Sequence, residues 1–222
     1  MHRVQWLFCG VVVALGMVCG AAAVMADSNL TSGQAIFMNQ PPDVLPEVQA
    51  QQVLVSVPYH GFDGAVHQGQ VVIHKALAED VAAAFAVMFT HRFPLDSVLP
   101  IAHPTILAKG PYGLSSETNN TSGYVWRPVV GAQQLSMHAL GLAVDINPHL
   151  NPYIKGKLIL PPGATYAPAA PGTLTPESPV VQAFKRLGWT WGGDWNKAEK
   201  VDYMHFQKIP PGWEDWVRQH RD

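Results

Sequence analysis

Two short stretches in the C-terminal half of the chain constrain its fold most strongly. Each carries His and Asp side chains that could form one site only if the fold brings the two stretches together. Residues 136–145 contain His138 and Asp145, and a later stretch contains Asp202 and His205. Zinc hydrolases typically bind their metal through three His, Asp or Glu ligands and leave a fourth position for water. A nearby free carboxylate is then the natural base for that water. The residue types needed for such a site are all present.

The spacing within these stretches indicates how the backbone must run. His138 and Asp145 would lie two turns apart on an α-helix, too far for one metal ion. A loop that enters a strand can instead bring His138 back over Asp145, and Gly141 permits the close turn. Residues 142–146 have the pattern of a buried strand, where an unpaired carboxylate would be costly. In a strand over residues 204–208, His205 and its neighbour face opposite sides.

The rest of the chain predicts a mixed α+β fold. The chain has 19 Gly and 19 Pro among its 222 residues, which favours loops and turns over a helical bundle. A polar, Pro-punctuated leader or wrapping arm is predicted for residues 27–52, and the main domain for residues 53–222. Within that domain the patterns predict a hairpin-like pair of strands at 53–57 and 70–74, helices at 77–92, 180–187 and 213–220, and loops at 100–135 and 148–176.

The first 26 residues have the pattern of an export signal. A positive charge at Arg3 precedes an apolar core over residues 6–20, and small or short residues precede Asp27, where cleavage is expected. The alternative is an uncleaved membrane anchor, because the apolar run approaches the length of a transmembrane helix. We expect the signal to be cleaved and the protein to be exported to the periplasm or cell envelope. Secretion from the cell is the alternative destination.

The positions of the cysteines and the net charge of the chain exclude several kinds of metal ligand and binding partner. Both cysteines, Cys9 and Cys19, lie inside the predicted signal, so the mature protein would have no disulfide, thiol nucleophile or thiolate ligand. Charged residues make up 14% of the chain and the formal net charge is −2, which gives no basic surface for nucleic acid or an anionic membrane. We therefore expect a monomer without nucleic-acid partners or membrane insertion after cleavage, whose metal ligands are His and carboxylate.

The order of these motifs resembles the M15 family of zinc peptidases, which includes D-alanyl-D-alanine carboxypeptidases and dipeptidases. That family carries Ser-x-His-x-x-Gly-x-Ala-x-Asp, then an acidic residue, two positions and His, matched here by Ser136, His138, Gly141, Ala143, Asp145, Asp202 and His205. The resemblance implies a small antiparallel sheet with flanking helices, in the M15 and hedgehog-like fold. It also implies one zinc ion per chain, with His138, Asp145 and His205 as its ligands.

The resemblance extends to the other site residues and to the substrate. It implies that Asp202 is the general base and that Arg127 orients the substrate through its oxyanion or carboxylate. Asp202 departs from the Glu that many members carry, so its side chain is one methylene shorter. Ser136, Tyr203 and Trp191 are expected to contact substrate, although Ser136 also suits a backbone cap.

The implied substrates are peptidoglycan stem peptides, cut either as D-Ala-D-Ala or at an L-Ala-D-Glu type bond. The sequence leaves this choice open. A catalytically silent, zinc-containing cell-wall binding module is the main alternative, since the hedgehog signalling domain uses this architecture for recognition. A purely structural exported protein without a metal is the second alternative.

Overall fold

A computed structural model describes residues 24–38, 40–110, 118–195 and 200–221. The predicted signal core and both cysteines lie outside these described residues. The helices are α1 (Ser32–Phe37), α2 (Pro46–Gln49), α3 (Ala78–Thr90), α4 (Pro104–Leu107), α5 (Pro179–Arg186) and α6 (Glu214–Arg221). Short 3-10 turns cover Lys75–Leu77, Met137–Leu140 and Gly192–Asp194. Within the described ranges, no helix is long and apolar enough to span a bilayer.

The strands form several small sheets, which confirms the predicted α+β class. They are β1 (Met25–Ala26), β2 (Gln52–Gly61), β3 (Val66–His74), β4 (Pro94–Leu95), β5 (Ser97–Val98), β6 (Asn120–Thr121), β7 (Ala143–Asp145), β8 (Tyr153–Lys155), β9 (Leu158–Leu160), β10 (Thr190–Trp191), β11 (Lys200–Asp202) and β12 (His205–Gln207). The sheet orders are β1-β3-β2-β4, β10-β12-β7, β11-β8-β9 and β5-β6.

The predicted hairpin is the longest paired element of the described fold. Strands β2 and β3 pair antiparallel from Gln52 opposite His74 to His60 opposite Val66, so each strand is longer than the sequence pattern indicates. Helix α3 buries Val81, Phe85 and Met88, whose spacing places them on one helical face. Burying such side chains stabilises the folded state by about 1.5–3 kcal/mol each. The hairpin and α3 therefore form the main part of the core.

Residues 27–52, for which a leader or wrapping arm is predicted, contribute side chains to the core. Thr31 and Gln34 form a reciprocal capping box that fixes the start of α1. Ile36 of α1 and Val48 of α2 are buried in the same core as the hairpin. The polar residues and prolines of this segment cap these short helices and connect them.

One prediction must be corrected, namely that residues 148–176 form a long surface loop. Strands β8 and β9 form a hairpin within this segment, and β11 pairs with β8. The buried amide of Asn151 donates to the carbonyls of Ile146 and Gly172 at 3.0 Å each and accepts from the Leu174 amide at 2.7 Å. These hydrogen bonds replace the repetitive backbone pairing that a Pro- and Gly-rich segment cannot make.

Candidate metal centre

The 3-10 turn Met137–Leu140 presents His138 to the site. Ser136 caps the turn by accepting a hydrogen bond from the His138 amide at 3.3 Å. Gly141 ends it with a left-handed backbone, φ +67°, which favours glycine. The backbone then enters β7 directly, so this turn is what brings His138 back over Asp145.

Asp145 and His205 meet because their strands pair in one particular register. Strands β7 and β12 are antiparallel, and Asp145 lies directly opposite His205. Next to this pair, Phe206 faces the other side of the sheet and stacks on Phe184 of α5 at a ring-centre distance of 4.2 Å. The alternation predicted for this strand is confirmed, and it separates the polar face from the core face.

Three side chains converge at the polar face. The His138 Nε2 atom lies 3.1 Å from Asp145 Oδ2 and 3.2 Å from His205 Nδ1. His205 Nδ1 lies 3.0 Å from Asp145 Oδ1. One ligand atom from each residue lies within 4.8 Å of the other two, and all three residues are buried. The structure thus brings together the three residues for which a metal-ligand role is expected.

The outer hydrogen bonds of the two imidazoles fix which nitrogen faces the site. His138 Nδ1 lies 2.7 Å from the Gly123 carbonyl, which only accepts, so Nδ1 carries the proton and Nε2 keeps its lone pair. His205 Nε2 lies 3.0 Å from Gln207 Oε1 and donates to it, which leaves the Nδ1 lone pair facing inward. Such partners orient the ligand histidines of metal sites.

The buried charges influence one another's protonation. Burial lowers the pKa of His138 and outweighs the opposing effect of Asp145. Burial would raise the pKa of Asp145, but the charges and hydrogen bonds of His138 and His205 hold it below its usual range. For His205, burial opposes protonation, while the hydrogen bond to Asp145 and the charge of that carboxylate raise the pKa overall.

This arrangement fits a metal ion. Two imidazole lone pairs and a carboxylate face one another at 3.0–3.2 Å, and these groups all accept rather than donate. They need a positive charge between them, from a proton or from a metal ion, to be stable in a buried position. Neutral imidazole and ionised carboxylate are the forms that bind a divalent metal. His138, Asp145 and His205 could therefore hold one metal ion.

Asp202 lies beside this group at the start of the connection to β12. Burial raises the pKa of Asp202 to about 7, with the Asp145 charge adding to the rise and His205, Lys200 and Arg127 opposing it. Its Oδ1 atom is buried and makes no hydrogen bond to the described residues. A Cβ atom at Gly192 would overlap the Asp202 carbonyl oxygen and lie 2.9 Å from the Asp202 Cβ atom, so only glycine permits this close approach.

A cleft opens over the three converging side chains and the Asp202 carboxylate. The lining includes Arg127, Val129, Val130, Ser136, Met137, Tyr153, Leu160, Trp195, Lys200, Met204 and Gln207. Arg127 is close enough for its charge to influence both His138 and Asp202. Both residues expected to act in catalysis therefore lie at the cleft.

Two of the three residues expected to contact substrate lie elsewhere. Ser136 lines the cleft, but Trp191 is buried in the core and donates from Nε1 to the Tyr203 carbonyl at 2.8 Å. Tyr203 stacks face to face on Tyr166 at a ring-centre distance of 3.6 Å. Neither Trp191 nor Tyr203 lines the cleft among the described residues, and Trp195 takes the aromatic position there instead.

Sequence reasoning missed the groups that orient the ligands. Gln207 could have been found from its spacing, because residues i and i+2 share one face of a strand and so place it beside His205. The Gly123 carbonyl carries no such signal. It belongs to a segment fixed by the 2.8 Å hydrogen bond from the Tyr124 amide to the Val72 carbonyl.

Residues 130–208 match an M15 peptidase family model described as D-alanyl-D-alanine carboxypeptidase. The matched segment contains His138, Asp145, Asp202 and His205, whereas Arg127 precedes it by three residues. No curated protein and no solved structure matches the chain.

Proposed function

We propose that the protein is a zinc-dependent peptidase of peptidoglycan stem peptides, because residues 130–208 match the D-alanyl-D-alanine carboxypeptidase model of the M15 peptidases. The observation that carries the proposal is the convergence of two inward-facing imidazole lone pairs and a carboxylate beside Asp202. Asp202 is half-buried, and its buried Oδ1 atom makes no hydrogen bond to the described residues. This constellation suits hydrolysis by an activated water, and its residues lie in the matched segment.

The proposed roles follow from the position and chemistry of each side chain. His138, Asp145 and His205 would hold the zinc, which supplies Lewis acidity toward the scissile carbonyl and acidifies water. Asp202 accepts a proton from the attacking water and returns it to the leaving amine, for which a pKa near neutrality is well suited. Arg127 donates hydrogen bonds to the carbonyl oxygen as negative charge develops there.

The experiment that tests the proposal is incubation of the mature protein with purified muropeptides, with and without a chelator. We expect fragments whose masses identify either loss of a terminal D-Ala or cleavage at an L-Ala-D-Glu type bond. Chelation should abolish cleavage, and added zinc should restore it. Metal analysis should find about one zinc ion per chain in the wild type and none in His138→Ala.

Two results would refute the proposed activity in different ways. Binding of muropeptides without cleavage by the zinc-loaded protein would identify a silent cell-wall binding module. Absence of bound zinc from a folded wild-type protein would leave only a structural role for the three residues.

We also propose that the chain is exported and cleaved before Asp27. The Asp27 amide donates to the Gln68 carbonyl at 3.1 Å, and its carboxylate accepts from Tyr59 at 2.5 Å and contacts His67 at 2.9 Å. Met25, by contrast, is 42% exposed. Met25 and Ala26 form the two-residue strand β1 on β3, which cleavage before Asp27 would remove, whereas the side-chain contacts of Asp27 would remain. N-terminal sequencing of protein recovered from the cell envelope should begin at Asp27, and recovery of an intact N-terminus would indicate a retained anchor.

A further inference from the structure

The sheet β11-β8-β9 forms one wall of the cleft and carries two cross-strand rows of side chains. Asp202 lies opposite Tyr153, which lies opposite Leu160, and all three line the cleft. Because side chains alternate along a strand, the residues two positions away face the same side. The second row therefore shares the face that carries the proposed catalytic base.

This second row consists of Lys200, Lys155 and Leu158. Lys200 of β11 lies directly opposite Lys155 of β8, and Lys155 lies opposite Leu158 of β9. Like charges directly opposite in an antiparallel pair destabilise a sheet. Neither lysine has a carboxylate in ion-pairing distance among the described residues to offset this repulsion. The register therefore places two lysines on adjacent strands, on the sheet face that also borders the cleft.

The position of the Lys200 ammonium directs this charge toward the cleft. Its Nζ atom lies 5.0 Å from the ring centre of Trp195 and 5.6 Å from that of Tyr153. Both aromatic residues line the cleft, as does Lys200 itself. Cation–π contacts of this kind attract an ammonium by about 0.5–1 kcal/mol at exposed sites, so Lys200 favours this position over open solvent.

The separation of the two rows indicates which part of a substrate would meet the lysines. Residues two apart on a strand are about 6.6–6.8 Å apart, which is close to two residues of an extended peptide. With Asp202 at the scissile bond, the lysine row faces the residue about two positions from that bond. In a stem peptide, the residue two positions from the D-Ala-D-Ala bond is the third residue. The residue two positions from the L-Ala-D-Glu bond, on its other side, is the third residue as well.

We propose that Lys155 and Lys200 form a subsite for a carboxylate on the third residue of the stem peptide. This inference rests on the proposed function for the identity of the substrate, and it adds a charge preference to it. A third residue whose side chain carries a carboxylate is favoured over one whose side chain carries an amide or an amine. Leu158 at the end of the row contacts the aliphatic part of that side chain.

The test uses a matched pair of synthetic peptides, acetyl-Glu-D-Ala-D-Ala and acetyl-Gln-D-Ala-D-Ala, which differ only in the charge of the third-from-last residue. Calorimetry with metal-free protein measures binding without cleavage. We expect wild type to bind the Glu peptide about fivefold more tightly, since each exposed ion pair contributes about 0.2–1 kcal/mol. The preference should shrink at high salt, because exposed charges are screened.

Three variants show whether the lysine row is responsible. Lys155→Gln and Lys200→Gln should each reduce the preference, and the double variant should bind both peptides equally. Lys157→Gln is the matched control, since this exposed lysine belongs to the same hairpin but follows Lys155 by two residues and lies in the turn. The Lys157→Gln variant should prefer the Glu peptide over the Gln peptide as strongly as wild type does.

The outcomes separate this inference from the proposed function. Equal affinity of wild type for both peptides, or an unchanged preference in the double variant, would overturn the subsite. If the zinc-loaded protein cleaves neither these peptides nor muropeptides while the lysine-dependent preference persists, the subsite stands and the peptidase activity is refuted. Cleavage of both peptides with equal kcat/KM and equal affinity would refute the subsite alone.

Discussion

Replacing Gly141 with alanine should destabilise the fold at the point where the chain turns from His138 into β7. Gly141 has φ +67°, and a Cβ atom there would overlap Gln52 Oε1 and lie 2.8 Å from the His74 backbone nitrogen. The first contact can be relieved only by moving the Gln52 side chain. The second involves backbone within a paired strand, which cannot shift easily.

The size of the loss follows from these contacts. A left-handed conformation costs a residue with a Cβ atom roughly 1–2 kcal/mol. Moving Gln52 breaks its hydrogen bonds to the carbonyls of Val48 at 2.9 Å and Leu140 at 3.2 Å. Each such bond contributes about 0.5–1.5 kcal/mol. We therefore expect Gly141→Ala to lower the free energy of unfolding by about 2–5 kcal/mol, the sum of these contributions.

Urea unfolding in the presence of a chelator measures this loss without a contribution from metal binding. Gly64→Ala is the matched control, because Gly64 has φ +81° but no atom within 4 Å of the position that an added methyl group would take. It should lose only the conformational cost, about 1–2 kcal/mol. Equal losses in the two variants would refute the steric argument, and a loss below about 1 kcal/mol for Gly141→Ala would refute the conformational one.

Three further predictions concern the site and the pH dependence of stability. Asp202→Asn should lower hydrolysis by about 10²–10⁴-fold with zinc content unchanged, whereas loss of zinc would make Asp202 a ligand. Arg127→Gln should lower kcat by about 10²–10³-fold with zinc content unchanged, and unaltered kinetics would remove it from the reaction. Burial lowers the pKa of His74 from 6.5 to about 4, so its contribution to stability is present above pH 6.5 and is lost as the pH falls toward 4. With chelator present, the unfolding free energies of wild type and His74→Phe should therefore differ by an amount that changes by about 2–3 kcal/mol between pH 6.5 and pH 4. A difference that stays constant over this range would refute the lowered pKa of His74.

Local sequence patterns predicted the elements that carry the site. The apolar spacing of α3 and the alternation around His205 and Phe206 each reflect a single helix or strand, whose period can be recognised without knowledge of its neighbours. The same holds for the turn at Gly141. The corrected segment, residues 148–176, differs because its order comes from distant contacts. The side chain of Asn151, for example, replaces local backbone pairing in the Pro- and Gly-rich segment.

The sequence by itself determined the chemical identity of the centre, since His138, Asp145 and His205 are its nitrogen and oxygen donors wherever the backbone places them. Only the tertiary structure decided how these donors face one another. The register of β7 against β12 aligns Asp145 with His205, and the Gly123 carbonyl selects the free nitrogen of His138. Both depend on contacts between segments far apart in the chain, and local periodicity contains no information about such contacts.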